Sequence, residues 1–211
     1  MKKININIIC NILKLQTHKK IEIQDPLKIL LTTILSARTK DKITAKAAKE
    51  LFTKIQSIED LKNIEEEELQ HLIYPVGFYK TKAKHLKQLP KVLKENFNNK
   101  IPETVEQLTE LPGVGRKTAN LVVAIGFKKP AICVDTHVYK ITNRLGYIKT
   151  KTPFETEIAL RKKLPKKYWI EFNTILVPFG QKICKSINPR CNKCPIEKHC
   201  NKIILISNSS N

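Results

Sequence analysis

Apolar residues recur at helical spacing along most of this chain, and that periodicity constrains its fold more than any other feature. Ile8, Ile9, Ile12 and Leu13 follow an i, i+1, i+4, i+5 pattern, which Leu27, Leu30, Leu31, Ile34 and Leu35 repeat. Asp25-Pro26 precedes the second run, and an N-cap followed by proline in the first turn starts a helix well. The same reasoning predicts helices over 40–54, 57–63, 65–74, 80–96, 104–110, 115–127, 136–145, 153–164 and 168–180. Hardly any alternating strand pattern competes, so the fold class is all-α.

With 211 residues the chain can bury a full core in one large or two small domains. It lacks an apolar run of about eighteen residues, so no segment is expected to span a membrane. A formal net charge of +20, from 39 Lys and Arg against 19 Asp and Glu, makes a polyanion the expected partner, nucleic acid first among them. Lys, Ile and Asn are abundant together, which a coding bias also produces. The Lys-rich helix 80–100 therefore reads as a solvated face whose lysines are not assigned singly to phosphates.

Two of the six glycines fall in Leu111-Pro112-Gly113-Val114-Gly115. Thr104 with Gln107 makes a capping box for the helix before this turn, and Arg116-Lys117-Thr118-Ala119-Asn120 opens the helix after it. Two helices joined by so tight a turn form a helix-hairpin-helix. Gly113, Val114 and Gly115 would let the backbone approach a phosphate, with N–H donors from the start of the second helix. Such a hairpin grips DNA without reading its sequence. A plain αα-hairpin, with glycines that only turn the corner, is the alternative.

Lys117 lies in the first turn of the second helix, where the positive end of the helix dipole disfavours a protonated amine. A partly neutral lysine can attack carbon and form a Schiff base. One more solvated or phosphate-binding lysine is the competing reading. Further on, Val134-Asp135-Thr136-His137 begins another helix after the break at Pro130. Asp135 suits the N-cap there, and a carboxylate in that place can also assist proton transfer or stabilise positive charge on a sugar.

Near the C-terminus Cys184, Cys191, Cys194 and Cys200 stand in a C-x6-C-x2-C-x5-C spacing. Four clustered thiolates satisfy either an iron–sulfur cluster or a tetrahedral zinc. Disulfides fit poorly: the apolar stretch after Lys2 and Lys3 is interrupted by Asn5, Asn7 and Asn11, and no cleavage site for export follows. Cys10 and Cys133 lie outside the cluster and read as small buried hydrophobes.

In combination, the 111–120 turn, Val134-Asp135-Thr136-His137 and the cysteine spacing resemble endonuclease III, in the helix-hairpin-helix superfamily of DNA glycosylases. The resemblance covers roughly residues 20–200. It implies two helical lobes: residues 22–129, six helices including the hairpin at 104–127, and residues 1–21 with 130–211, carrying the cluster loop at 184–200. DNA would lie in the cleft between them. The resemblance further implies Lys117 as nucleophile and Asp135 as the aspartate that assists base departure. It gives the four cysteines to a 4Fe-4S cluster, moving iron ahead of zinc.

The lysine implies a bifunctional glycosylase and AP lyase, since monofunctional relatives lack it and use water. By resemblance the substrates are oxidised or fragmented pyrimidines such as thymine glycol, and abasic sites, in double-stranded DNA. A cytoplasmic monomer, nucleoid-associated if the source is prokaryotic and neither secreted nor membrane-bound, is expected. Bacterial members carry glutamine in a Ser-Ala-Gln segment that fills the gap left by the flipped base. Here Ser36-Ala37-Arg38-Thr39 puts Arg38 in that place, which leaves the opposite-base preference open. Phe78, in Gly77-Phe78-Tyr79, is the second expected wedge, with a core aromatic as its alternative. His137 is expected near a phosphate or simply at the helix start. A non-catalytic cluster protein that binds DNA, and a zinc-loop adaptor, are the rival readings. Ser207–Asn211 is expected to be a disordered tail.

Overall fold

The computed structural model describes residues 2–17 and 25–203; the expected tail at 207–211 lies outside them. No strand occurs among the described residues. The structure divides into two compact units, Glu22–Lys129 and Met1–Ile21 with Pro130–Asn211.

The first unit is built around α2 (Pro26–Ser36). Asp25 caps it by accepting from the Lys28 N–H at 3.1 Å, with Pro26 in the first turn. Leu27, Ile29, Leu30, Leu31, Ile34 and Leu35 are all buried, leaving α2 hydrophobic nearly all round, as suits a central helix. α3 (Asp41–Lys54) packs on α2 and α5 (Glu66–Ile73), and α6 (Tyr79–Phe97) packs on α4 (Ile58–Asn63), α5 and α2. A full capping box starts α4: Ser57 accepts from the Asp60 N–H, and the Asp60 carboxylate accepts from the Ser57 N–H. Main-chain N–H bonds from Gln56 and Ser57 hold the Asp60 carboxyl below its usual range.

Three expectations need correction in this unit. The hairpin's first helix, α7 (Val105–Leu108), is a single turn, not 104–110. Its box is half closed, because the Gln107 side chain takes the Thr104 hydroxyl proton at 2.9 Å while the Gln107 N–H returns to that oxygen. The second helix, α8 (Arg116–Leu121), gives way to a π-helical turn at Val122–Gly126. Gly126 passes so close to Pro26 that a Cβ there would lie 3.1 Å from its Cα. Close packing against the start of α2 thus overrides the regular helix that the apolar run 121–125 suggests.

In the second unit α1 (Ile6–Thr17) and α9 (Thr136–Leu145) both pack on α11 (Phe172–Lys182), and α10 (Pro153–Lys163) leans on α9. Ile9, Cys10 and Leu13 of α1, Val138 and Ile141 of α9, and Phe172, Leu176 and Phe179 of α11 form one core. The helix expected at 168–180 starts only at Phe172. Tyr168 closes a short 3-10 turn and Trp169 donates its indole N–H to the Leu164 carbonyl at 2.8 Å, so these two aromatics are buried ahead of the helix. Phe172 is completely buried, and Phe172→Ala is expected to destabilise the fold by about 3–5 kcal/mol in urea unfolding.

Candidate active site and cysteine loop

The hairpin turn is pinned from inside. Leu111 and Val114 are buried, and the Val114 N–H donates to the Leu111 carbonyl at 3.1 Å. Val114 therefore anchors the turn. Gly113 has φ +75°, and a Cβ on it would meet His85 Nδ1 at 2.7 Å, so conformation and packing both demand glycine. Gly115 is different. Its φ of −92° suits any residue, and nothing lies within 4 Å of where its Cβ would be. Its bare backbone faces open space, which is what close approach of a phosphate requires.

Lys117 is exposed at the second position of α8, directly after that opening. Its neighbours are held tightly: Thr118, Ala119 and Asn120 are buried, and Asn120 Nδ2 donates to the Arg116 carbonyl at 3.0 Å. A lysine carried on so well-packed a turn is presented from a rigid base.

Two exposed loops of the same unit stand back to back. Arg38 and Phe78 each adopt a left-handed backbone, φ 53° and φ 59°, which costs a non-glycine residue about 1–3 kcal/mol. Phe78 is 61% exposed, which removes its core alternative. The Arg38 guanidinium lies 5.4 Å from the centre of the Phe78 ring. Gly77 makes this approach possible, since a Cβ there would come within 2.7 Å of the Arg38 carbonyl oxygen.

Beneath these loops sits a residue that the sequence reading misassigned. Lys82 is 6% exposed, not part of a solvated face. Its ammonium donates to the carbonyls of Leu35 at 2.7 Å and Ala37 at 2.6 Å, and to Thr39 Oγ1 at 3.3 Å. The signal was available, because Lys82 is in register with Leu86, Leu89 and Leu93 on the buried stripe of α6.

In the other unit Asp135 caps α9, with Oδ1 accepting from the Val138 N–H at 2.8 Å. It is half-buried, after the fully buried run Ala131–Val134. His137 is half-buried and its ring lies against Gly180, where a Cβ would come within 2.4 Å of Nδ1. Lys117 and Asp135 thus belong to different units.

Cys184, Cys191, Cys194 and Cys200 line one cavity of about 300 Å3, walled by Ile141, Leu145, Phe179 and Ile196. Among the described residues no group of three His, Cys, Asp or Glu side chains could hold a metal ion as it stands. One tetrahedral ion draws all four sulfurs to a single point at about 2.3 Å. A cluster instead gives each sulfur its own iron, so the ring of thiols around a roomy cavity fits a cluster better than zinc. Arg144 braces the loop, donating to the carbonyls of Lys185 at 2.5 Å and Ser186 at 2.6 Å, and lying 3.7 Å from Cys184 Sγ. Sequence reasoning passed over Arg144, for which only the fold brings residues 144 and 184 together. Cys10 and Cys133 are buried and do not line the cysteine cavity, and burial pushes the Cys10 thiol up to about 12.

Residues 31–166 match the family model for the HhH-GPD superfamily of base excision DNA repair proteins. The chain is 47% identical to endonuclease III of Thermotoga maritima over 88% of its own length and 85% of that protein's. It is 39% identical to endonuclease III of Bacillus subtilis over 83% and 81% of the two lengths. A solved endonuclease III trapped as a covalent intermediate with DNA superposes with a TM-score of 0.84 at 33% identity, covering 93% of this chain and 94% of that one. With its glycine turn, its lysine-bearing helix and its cysteine loop, the chain belongs to the HhH-GPD superfamily of base excision DNA repair proteins and, within it, to the endonuclease III family of DNA glycosylases with AP-lyase activity.

Proposed function

We propose that the chain removes oxidised pyrimidines such as thymine glycol from double-stranded DNA, with Lys117 as the nucleophile and Asp135 as its carboxylate partner. The observation that carries this reading is the exposed Lys117 one residue beyond the start of α8, behind a glycine whose missing side chain leaves open space. The hairpin backbone would hold a phosphate while Lys117 reaches the neighbouring sugar.

A base stacked in a duplex cannot present its glycosidic carbon to an amine, so the nucleotide must first be flipped out, at about a few kcal/mol. The neutral amine of Lys117 then forms a bond to C1′ as the C1′–N bond breaks, its electron pair and a proton leaving with the base. Opening of the sugar gives an iminium between Nζ and C1′. That positive centre acidifies the C2′ proton, whose removal expels the 3′ phosphate and cuts the strand. Water finally hydrolyses the imine and frees Lys117. Asp135 would stabilise the positive sugar and exchange protons during these steps. The chemistry requires both residues to act on one nucleotide.

Asp135 has a second duty as a cap, and the two can be separated. Asn caps a helix about as well as Asp, whereas Ala loses the cap at about 1 kcal/mol. Asp135→Asn is therefore expected to keep its melting temperature and lose roughly 10²–10⁴-fold in single-turnover base release, while Asp135→Ala loses both.

Arg38 and Phe78 would enter the duplex beside the flipped nucleotide, Phe78 as an apolar wedge and Arg38 toward the unpaired base. The backbone at Gly113 and Gly115 would donate N–H groups to the DNA phosphate, and His137 would sit near another. Cys184, Cys191, Cys194 and Cys200 would hold a 4Fe-4S cluster, which when bound ties the loop together and offers a redox-active centre. The two compact units would serve as the two lobes of a monomer, working in the cytoplasm on nucleoid DNA.

A further inference from the structure

We propose that Lys82 is a positioning residue: its buried ammonium locks the Leu35–Thr39 backbone, and through Thr39 the Gly77–Phe78 turn, into one clamp that presents Arg38 and Phe78 to the damaged duplex. The inference rests on the reading that those two side chains enter the duplex.

An ammonium carries three N–H donors, and Lys82 meets three acceptors, the carbonyls of Leu35 and Ala37 and the hydroxyl oxygen of Thr39. These lie around the C-terminal end of α2, where carbonyls lack helical partners and a cation is favoured. Thr39 passes the restraint on: its oxygen accepts from the Gly77 N–H at 3.1 Å, and its hydroxyl donates to the Ala37 carbonyl at 3.2 Å. Arg38 is thus held between two residues bonded to Lys82, and Phe78 directly follows a residue bonded to Thr39.

Both presented residues have left-handed backbones, which need such outside restraint to persist. No carboxylate pairs with Lys82 among the described residues, so the charge is met by main-chain and hydroxyl oxygens alone. Burial pushes Lys82 down to about 8, which still leaves the ammonium as the main form at neutral pH. A methionine would fill the same channel but leave Leu35 and Ala37 without their donors.

The test compares the wild type with Lys82→Met, Thr39→Val, and Arg38→Ala combined with Phe78→Ala, on a thymine glycol duplex with 2-aminopurine opposite the lesion. Steady-state kinetics and 2-aminopurine fluorescence are read together near pH 7. Lys82→Met is expected to raise KM about tenfold with kcat within about twofold, and to lose most of the fluorescence rise that reports the unstacked base. Thr39→Val, at a half-buried position, removes the link from the loop side and is expected to shift both readouts the same way.

Adding Lys82→Met to the Arg38→Ala, Phe78→Ala background is expected to change KM by less than about twofold, since the lysine acts through side chains already gone. Should the Arg38 and Phe78 changes themselves leave KM and fluorescence untouched, the wedge reading fails and the proposal falls with it. Should those changes matter while Lys82→Met and Thr39→Val do not, or should Lys82→Met add its full effect in their background, only the role of Lys82 is overturned.

Discussion

Replacing Lys117 with alanine is expected to leave folding and duplex binding intact while abolishing both base release and strand cutting. Lys117 is exposed on a turn whose packing comes from Thr118, Ala119 and Asn120, so that turn is expected to stay folded without it. A lysine near the positive end of a helix contributes little or nothing to that helix, and alanine is the better helix former. The chemical step, by contrast, loses its proposed nucleophile. Removing the attacking group from an enzyme of this kind costs roughly 10³-fold or more in single-turnover rate, even though binding contacts survive. Glycosylase and lyase activities should fall together because one amine serves both. A variant that still releases the base but no longer cuts the strand would mean that water attacks C1′.

The second large effect concerns the cysteine loop. Between Ile183 and Ile203 the chain has only two short 3-10 turns, and Ile196 is the sole fully buried apolar side chain there. Such a segment buries too little apolar surface to offset its own ordering entropy, so the proposed cluster on the four cysteines would supply what the loop lacks. Cys194→Ser is expected to abolish visible absorbance and bound iron, expose the loop to protease, and lower stability by several kcal/mol. The loop packs on Arg144 and Leu145 of α9, and Asn201 bonds both the Leu145 carbonyl and Lys2 at the start of the chain. Damage should therefore spread through the unit that carries Asp135. Iron analysis, thermal melting and limited proteolysis on the same preparation check the three parts.

How much could be read in advance depended on whether the cause was local. Asp25-Pro26 starts a helix by its own chemistry, and the structure has α2 beginning there. Gly113 could be singled out because a tight turn needs a left-handed residue, and its φ is +75°. The cysteine spacing is likewise local, and the four side chains line one cavity. The π-helical turn at Val122–Gly126 was not legible, because an all-apolar run has no phase and its cause, Pro26, is distant in sequence. Lys82 was lost among many lysines, although its register with Leu86 and Leu93 separated it from its neighbours. The seat of His137 against Gly180 and the grip of Arg144 on the cysteine loop exist only once α9, α11 and the loop have packed.

In the proposed chemistry one lysine, Lys117, joins covalently to the sugar of a damaged nucleotide. Borohydride reduction during reaction with a duplex bearing a single intact thymine glycol, followed by peptide mass mapping, would capture that bond. An intact lesion is needed because many amines trap on a ready-made abasic site. One adduct is expected, on the peptide containing Lys117, with none formed by Lys117→Ala. An adduct on any other lysine or on the amino terminus, or an undiminished adduct in Lys117→Ala, would show that Lys117 is not the nucleophile.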